Sequence, residues 1–472
     1  MLRRTGSCLL LALTLIASRA EAAPAACAAG AVETRHVARI GGAALHYTAC
    51  AGTLPVRNAD GVMRGRIFYT AYLVAGKRAR PLTFVWNGGP GADSRLLHFR
   101  ALGPRTWRNG QLADNGHSPL AASDLVFVDP IGTGFSRADE PAHAADFYGT
   151  TADIASVAGF VTDFRTAYGR ARAPLFLAGE SFGTWRATGV AERLIDGGVP
   201  VAGIALISGG IPLGDTHDRE RMRALSLVNR TATALVLGKI QAGDRGRTLA
   251  AVRRWAESDY APALAAPASL SRERRAALIA TLAHHQGLDP AKIDPATLWV
   301  SPRQFRTELL AGEKKILGIF DMRETAPRAD EAGEGRAVLD YYRRDLGYGA
   351  GRYAGIDGPE SDAGNQWRYD QAPITPDSLA RARAGEGPPS PSQPWTLRAM
   401  QKAPRLRTWV AAGLYDSLNS CAGNEATVAA LPKAVARRFD LRCYEGGHMM
   451  YEDPRETVSF QKDFAAFLRK GA

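Results

Sequence analysis

Residues 174–183 of this chain read PLFLAGESFG, an apolar run that ends in a Gly-x-Ser-x-Gly turn. The run has the length of a short buried strand, and residues 185–194 behind the turn are compatible with a helix. A strand, a tight turn and a helix in this order are the setting in which a serine projects its hydroxyl as a nucleophile above an α/β-hydrolase sheet. The turn alone would also suit a structural bend, so a nucleophilic Ser181 needs support from elsewhere.

Two distant segments supply that support. Residues 84–91, FVWNGGPG, are a second apolar run that ends in a glycine-rich loop, where this fold finds another oxyanion-hole N–H. Asp416 follows the strand-like residues 407–412. His448 follows a further strand candidate, residues 439–444. The chain order Ser, Asp, His is that of the α/β-hydrolases and differs from the orders in chymotrypsin and subtilisin.

Five motifs resemble those of the serine carboxypeptidases, the α/β-hydrolase peptidases also called family S10: NGGPG at 87–91, GTGFS at 132–136, GESFG at 179–183, GLYD at 413–416 and GHM at 447–449. The likeness runs over about residues 36–216 and 396–470, and residues 47–76 and 447–451 point to the bacterial branch. The family includes plant acyltransferases, so the resemblance implies the fold more firmly than the reaction.

The catalytic triad follows from these motifs. Ser181 is the predicted nucleophile, and His448 is its predicted general base. Asp416 would fix the tautomer of His448 and stabilise the imidazolium. Asp453 is a competing acid near the histidine, but it lies just before a predicted helix that starts at Pro454, where an N-cap suits it better.

Further site residues are implied by the resemblance. The oxyanion hole is expected at the backbone N–H groups of Gly89 and Phe182, and losing one such donor costs about 2.7–4 kcal/mol in other enzymes. In the family, the C-terminal carboxylate of the substrate is held by residues that match Asn87, through its amide, Gly88, through its N–H, and Glu180.

The family also has a second glutamate at this site, and here the chain departs from the pattern. Aligning Leu-Gly-Pro at 102–104 with the family puts Ala101 in that position. Two glutamates hold a carboxylate only by carrying protons, because bare like charges repel. Arg100 and Arg105 lie close in sequence and would supply positive charge, unless both are surface arginines. We therefore expect kcat/KM for peptides with a free C-terminus to peak nearer neutral pH than in relatives with the glutamate pair.

The N-terminus has the pattern of a secretory signal. Arg3 and Arg4 precede an apolar run over residues 9–17, and small residues follow, so residues 1–22 are predicted to be a cleaved signal peptide. The run is too short to span a bilayer. Attachment as a lipoprotein through Cys27 fits the pattern poorly. We expect an exported protein, periplasmic or secreted, that does not span a membrane.

The chain has a formal net charge of +12 over 472 residues. Its arginines are scattered over helical faces, without the aromatic-interleaved basic stripe of a nucleic-acid surface. The sequence therefore predicts no nucleic-acid partner, leaves weak attraction to anionic envelope surfaces as an alternative, and leaves the oligomeric state open.

Four cysteines remain beyond the predicted signal peptide: Cys27, Cys50, Cys421 and Cys443. An even number in an oxidising compartment favours disulfides, and four cysteines allow three pairings. The local pairs Cys27–Cys50 and Cys421–Cys443 are favoured, since each closes a loop worth roughly 3 kcal/mol in the chain-entropy model. Free buried thiols are the alternative.

The organisation along the chain is that of a hydrolase core with one insertion. Residues 23–81 alternate in polarity and predict antiparallel hairpins of the core sheet, while residues 82–216 predict alternating strands and helices. Residues 217–395 are mainly helical and charged, and we expect them to form a lid on the catalytic face. The core resumes over residues 396–472.

The expected protein is a serine carboxypeptidase that hydrolyses peptides from the C-terminus through an acyl-enzyme. No residue cluster has metal-site spacing, so neither metal nor cofactor is expected. One alternative keeps the triad but acts as an esterase or acyltransferase, which the missing glutamate would allow. The other is a non-catalytic binding protein, against which the complete triad argues.

Overall fold

The computed structural model describes residues 27–58, 60–76, 80–215, 218–326, 331–385 and 387–471, so the predicted signal peptide lies outside the described residues. Within them the chain forms twelve strands: β1 (Val32–Ile40), β2 (Ala43–Arg57), β3 (Met63–Leu73), β4 (Leu82–Trp86), β5 (Arg105–Arg108), β6 (Gln111–Asp114), β7 (Asp124–Asp129), β8 (Arg137–Ala138), β9 (Leu175–Glu180), β10 (Gly203–Ile207), β11 (Arg407–Gly413) and β12 (Phe439–Tyr444).

Thirteen α-helices are found in the same described residues: α1 (Thr150–Ala167), α2 (Gly183–Asp196), α3 (Arg219–Val236), α4 (Arg245–Trp255), α5 (Ala261–Ala265), α6 (Arg272–Gln286), α7 (Pro302–Glu308), α8 (Glu331–Asp340), α9 (Pro376–Arg383), α10 (Trp395–Lys402), α11 (Cys421–Ala429), α12 (Lys433–Ala436) and α13 (Thr457–Lys470). In the part of the chain that the structure covers, no helix combines the length and apolar character needed to cross a bilayer.

Ten strands form one mixed sheet in the order β1-β2-β3-β7-β4-β9-β10-β11-β12, with β8 beside β3. The pairings from β1 to β7 are antiparallel. Every pairing from β7 to β12 is parallel. The predicted architecture, a mostly parallel doubly wound sheet with antiparallel hairpins at its N-terminal edge, is confirmed.

The central strands are buried throughout because helices cover both faces of the sheet. Every residue of β4, β7, β9 and β10 is buried, as expected for parallel strands without a solvated face. One face packs against α1, α2 and α10. The other packs against α13 and the segment that follows α8. Parallel strands bring their carboxyl ends to one edge, where ligand sites of open α/β sheets lie.

The described residues between β10 and β11 contain α3–α10 and no strand of the sheet. Helices α3–α7 enclose an apolar core of their own, to which α11 contributes Ala422 and Ala426. Later parts of the same insertion pack directly on the sheet cores through Tyr342 and Trp395. The insertion is therefore joined to the hydrolase core by apolar packing at several places.

The structure contains both of the favoured disulfides. Cys27–Cys50 ties the start of the described chain to β2. Cys421–Cys443 joins the first residue of α11 to β12. The second bond lies between the loop that carries Asp416 and the strand that leads to His448.

Candidate active site

Ser181 lies in the turn between β9 and α2, with its backbone in the left-handed region at φ 56°. Its N–H donates to the carbonyl of Ile207 at 2.8 Å, which fixes the turn against β10. A side chain at Gly179 would collide with the carbonyl of Gly183. The tight turn thus requires small residues on both sides of a serine that stays partly exposed at the carboxyl edge of the sheet.

The glycine-rich loop behind β4 lies against this turn. A Cβ on Gly88 would be only 2.5 Å from the backbone nitrogen of Phe182. Gly89 has a φ of 94°, which favours glycine. In the described part of the chain, the amides of Gly88, Gly89 and Phe182 donate no hydrogen bond. Three unused N–H groups therefore lie in the two backbone segments next to Ser181.

His448 and Asp416 are in direct contact at the same edge. Nδ1 of His448 lies 2.8 Å from Oδ2 of Asp416, and the residues are 2% and 1% exposed. The N–H of Leu418 donates to Oδ1 of Asp416 at 2.8 Å. Burial lowers the pKa of His448, but the charge and hydrogen bond of Asp416 and the charge of Glu180 outweigh it and raise that pKa above its ordinary value.

The bond between Ser181 and His448 is not formed in this structure. Nε2 of His448 is buried and has no hydrogen-bond partner among the described residues. Catalytic hydrogen bonds often become short only with substrate bound. The structure thus brings the histidine and aspartate together and leaves Nε2 available for the serine.

The insertion contributes a segment, residues 319–323, that contacts the two loops carrying the predicted catalytic residues Asp416 and His448. The carbonyl of Phe320 accepts from the N–H of His448 at 2.6 Å, and the two rings are 5.3 Å apart. The N–H of Met322 donates to the carbonyl of Tyr415 at 3.0 Å. Arg323 donates to the carbonyl of Glu445 at 3.3 Å. We call residues 319–323 the bridging segment; nothing in the sequence indicated its position.

Glu180 is the last residue of β9 and is only 2% exposed. Its Oε2 accepts from Nδ2 of Asn87 and from the hydroxyl of Tyr451, each at 2.6 Å. Burial raises the pKa of this carboxyl to about 7, against the opposing effect of the charge of His448 and the Tyr451 hydrogen bond. The structure therefore places a carboxyl group that can carry a proton near neutral pH directly beside Ser181 in the chain.

Ala101, aligned with the second glutamate, is fully buried, and its carbonyl accepts from the side-chain amides of Asn115 and Gln461. Arg100 forms ion pairs with Glu334 and, at 2.9 Å, with Glu452. Its charge is therefore already neutralised. Arg105 pairs with Asp114 at 2.6 Å, across the β5–β6 hairpin. The structure thus pairs both arginines with other carboxylates.

Asp453 takes no part in the histidine contact. Its carboxylate binds Arg455 and Arg323, each within 3.0 Å, and these contacts hold its pKa at about 2. Helix α13 begins at Thr457, three residues beyond the predicted start, and its N-cap is Glu456. The predicted N-cap role of Asp453 is therefore wrong, because the chain first makes a turn held by the arginine contacts.

A cavity of about 720 Å³ lies beside the glycine-rich loop and the residue that follows His448. Gly91 of the glycine-rich loop, Met449 and Phe320 line it, together with charged side chains that include Arg100 and Glu334. This volume lies within the range of about 300–1,000 Å³ that is typical of ligand pockets.

One segment of the chain is similar in sequence to known serine carboxypeptidases. Residues 47–198 match the family model for serine carboxypeptidases. The similarity to this family is therefore shown for one segment of the chain. It is 30% identical over 157 residues to serine carboxypeptidase 3 of Oryza sativa subsp. japonica. It is 29% identical over the same length to serine carboxypeptidase 3 of Triticum aestivum. Each match covers 32% of this chain and 30% of the relative, so the chain matches less than a third of the length of these relatives.

The structure is similar to that of a carboxypeptidase from Saccharomyces cerevisiae, Kex1(Δ)p, described as prohormone-processing. The alignment covers 89% of this chain and 92% of the yeast chain, with a TM-score of 0.53 and 14% sequence identity. At that identity the similarity establishes the shared fold. The α/β-hydrolase fold thus extends well beyond the segment recognised by sequence.

Proposed function

We propose that the protein is an exported serine carboxypeptidase that removes residues from the C-terminus of peptides. The observation that carries the proposal is the position of Glu180, a buried carboxyl with a pKa of about 7 that directly precedes Ser181. Ester hydrolysis alone would need only the nucleophile, its base and the oxyanion donors. A protonated carboxyl beside them adds a group that can donate a hydrogen bond to a substrate carboxylate.

In the proposed mechanism, Oγ of Ser181 attacks the carbonyl carbon of the last peptide bond while Nε2 of His448 takes the hydroxyl proton. The amides of Gly89 and Phe182 stabilise the negative charge on the tetrahedral oxygen. His448 then gives the proton to the leaving nitrogen, and the C–N bond breaks to release the terminal amino acid. Water, deprotonated by the same histidine, hydrolyses the acyl-enzyme and restores Ser181.

The proposed carboxylate site is formed by the Asn87 amide, the Gly88 N–H and Glu180. These groups lie in the glycine-rich loop and at the end of β9, the two elements that also supply the oxyanion donors. A substrate carboxylate bound there would hold the last peptide bond close to Ser181, and such positioning lowers the barrier by reducing the entropy cost of reaction.

Export is proposed from the predicted signal peptide and is supported by the disulfides Cys27–Cys50 and Cys421–Cys443. We also propose that residues 217–395 act as a lid. Support comes from the bridging segment, since it contacts both catalytic loops, and from the cavity that this segment helps to line.

An esterase or acyltransferase on the same scaffold is the second candidate, and the buried alanine at position 101 favours it. Incubation of the purified protein with a peptide mixture separates the two, with products read by mass spectrometry. Release of C-terminal amino acids supports the carboxypeptidase. An acyl-enzyme burst with ester substrates and no release from free-acid peptides would favour the second candidate. Labelling of Ser181 by a fluorophosphonate would exclude a non-catalytic binding protein.

A further inference from the structure

The two oxygens of the Glu180 carboxyl differ in their surroundings. Oε2 accepts two hydrogen bonds of 2.6 Å, from Asn87 and Tyr451. Among the described residues, no donor is bonded to Oε1. The amide of Asn87 is oriented by the N–H of Leu97, which donates to Oδ1 at 3.1 Å and leaves Nδ2 for Glu180. Both bonds to Oε2 are therefore donated to the carboxyl.

A protonated carboxyl has one oxygen that donates and one that only accepts. Protonation of an oxygen that already accepts two hydrogen bonds is unfavourable, because the added proton would lie against the hydrogens of the two donors. When Glu180 is protonated, its proton therefore belongs on Oε1. This is the oxygen without a protein partner, and from there the proton can be donated to a ligand.

We propose that Tyr451 is a positioning residue of the carboxylate site, which through Oε2 of Glu180 places the carboxyl proton on Oε1 for donation to the C-terminal carboxylate of the substrate. The inference rests on the proposed function. In this arrangement the hydroxyl of Tyr451 donates the hydrogen bond that orients the Glu180 carboxyl, so a second, protonated glutamate is not needed. An alanine at position 101 is therefore compatible with the site.

The surroundings of Tyr451 fit this role. Its side chain is fully buried, its ring packs 5.4 Å from that of Phe460, and its carbonyl accepts from Thr457 at 2.8 Å. Burial, followed by the charges of Glu180 and Glu452, raises the pKa of the hydroxyl well above its ordinary value. The hydroxyl therefore keeps its proton over the whole working pH range, whereas a second glutamate would lose its own.

The charged groups around the pair come from several elements. Glu452 follows Tyr451 and is paired with Arg100 from the segment behind the glycine-rich loop. His448 and Asp416 act on Glu180 from the catalytic loops, the first by lowering its pKa and the second by raising it. Of these groups, Glu180 has a pKa raised to about 7, and the pKa of His448 is raised above its ordinary value. Binding of a free-acid ligand above the pKa of Glu180 should therefore take up one proton and not two.

The test is Tyr451→Phe, which removes the hydroxyl and keeps the ring. We expect KM for a free-acid peptide to rise about three- to tenfold at pH 6, the range expected for the loss of one hydrogen bond, while kcat changes less than twofold. Because the hydroxyl stabilises the charged form of Glu180, its removal should also move the alkaline limb of kcat/KM to higher pH. Hydrolysis of the matching C-terminal amide should change less than twofold.

Tyr444→Phe is the matched control. Tyr444 is also buried, also packs against Phe460, and also donates to a carboxylate, Asp463, at 2.9 Å. Tyr444→Phe should leave KM and the pH dependence of kcat/KM for the free-acid peptide unchanged. If Tyr451→Phe alters the free-acid and amide substrates equally, or leaves the alkaline limb in place, the role of Tyr451 is overturned. Failure of the proposed function is seen separately, as a wild-type enzyme that does not prefer the free acid to the amide.

A measurement on the wild type keeps the inference testable if the variant does not fold. Calorimetry at pH 8 in two buffers of different ionisation enthalpy gives the protons taken up when an N-acyl amino acid binds, with its amide as reference. An uptake approaching one proton for the acid and none for the amide supports the arrangement. An uptake approaching two would reveal a second titrating donor and contradict the role of Tyr451.

Discussion

Nη1 of Arg186 donates a hydrogen bond of 2.7 Å to the backbone carbonyl of Asn87. In a trans peptide the C=O and the following N–H point in opposite directions. By holding the Asn87 carbonyl, Arg186 therefore directs the N–H of Gly88 away from itself. The guanidinium is fully buried, and its Nε donates to Asp153 at 2.7 Å, which neutralises the charge.

This relationship predicts that Arg186→Lys will impair activity. A lysine ammonium lacks the fork that reaches Asp153 and the Asn87 carbonyl together. Losing a hydrogen bond from a charged group costs about 1.5–3 kcal/mol, so we expect kcat/KM for free-acid peptides to fall at least tenfold. Thermal unfolding measures any loss of stability separately. Arg165→Lys is the control, as Arg165 is a buried arginine of α1 that bonds the carbonyl of Ala171. Activity of Arg186→Lys within threefold of wild type would contradict the role.

The bridging segment gives a second prediction. Arg323 lies 4.4 Å from the ring of Tyr415, next to Asp416, and bonds Glu445, in the loop that leads to His448. Arg323→Met should loosen both loops, and we expect kcat to fall about tenfold for acid, amide and ester substrates alike, since small misplacements of catalytic groups are costly. Steady-state kinetics would show this.

Arg343→Met, which removes an exposed arginine of the same insertion, should have no effect. A change confined to free-acid substrates would argue against the proposed action on the triad.

The pH dependence should have two limbs for free-acid peptides. His448 must be neutral to act as base, and its pKa is raised above the ordinary value, so activity falls on the acid side. Glu180 must be protonated to bind the carboxylate, and its pKa is about 7, so binding is lost above that pH. We expect a narrow optimum near neutral pH for the acid and no alkaline limb below pH 9 for the amide.

Glu180→Gln tests the assignment of the alkaline limb. A glutamine carbonyl can accept from Asn87 and Tyr451 while its NH₂ donates to the substrate, as a permanently protonated glutamate would. The free-acid profile should then stay high at pH 8 and above. An alkaline limb unchanged by this substitution would show that another group titrates there.

Parts of this site that depend on residues adjacent in the chain could be predicted from the sequence. Contacts between residues that are far apart in the chain could not. The turn around Ser181 and the strands on either side of it are set by a few adjacent residues, and the observed elements agree with the expected ones to within a few positions. Tyr451 could not be predicted, because its bond to Glu180 joins two residues that are far apart in the chain. Arg186 could not be predicted either, because its partners Asn87 and Asp153 are also far from it in the chain. The predicted N-cap role of Asp453 was wrong because the turn before α13 depends on Arg323, which comes from the insertion.

The disulfide Cys421–Cys443 leads to a prediction about local stability. It joins α11 to β12, between the loops that carry Asp416 and His448. Reduction should increase hydrogen exchange in residues 414–420 and 444–451 before the central strands lose protection, since regions of low local stability open first. Mass spectrometry of the exchanging protein follows this directly. Peptide mapping that finds both thiols alkylated in the unreduced native protein would rule the bond out.

The central claim is that Ser181 performs carboxypeptidase chemistry. A time course near pH 6.5 with one peptide, as free acid and as C-terminal amide, read by mass spectrometry for wild type and Ser181→Ala, tests it most directly. The account predicts stepwise loss of C-terminal residues from the free acid, much slower cleavage of the amide, and no turnover by a folded Ser181→Ala. Internal cleavage products, or activity of Ser181→Ala within tenfold of wild type, would contradict it.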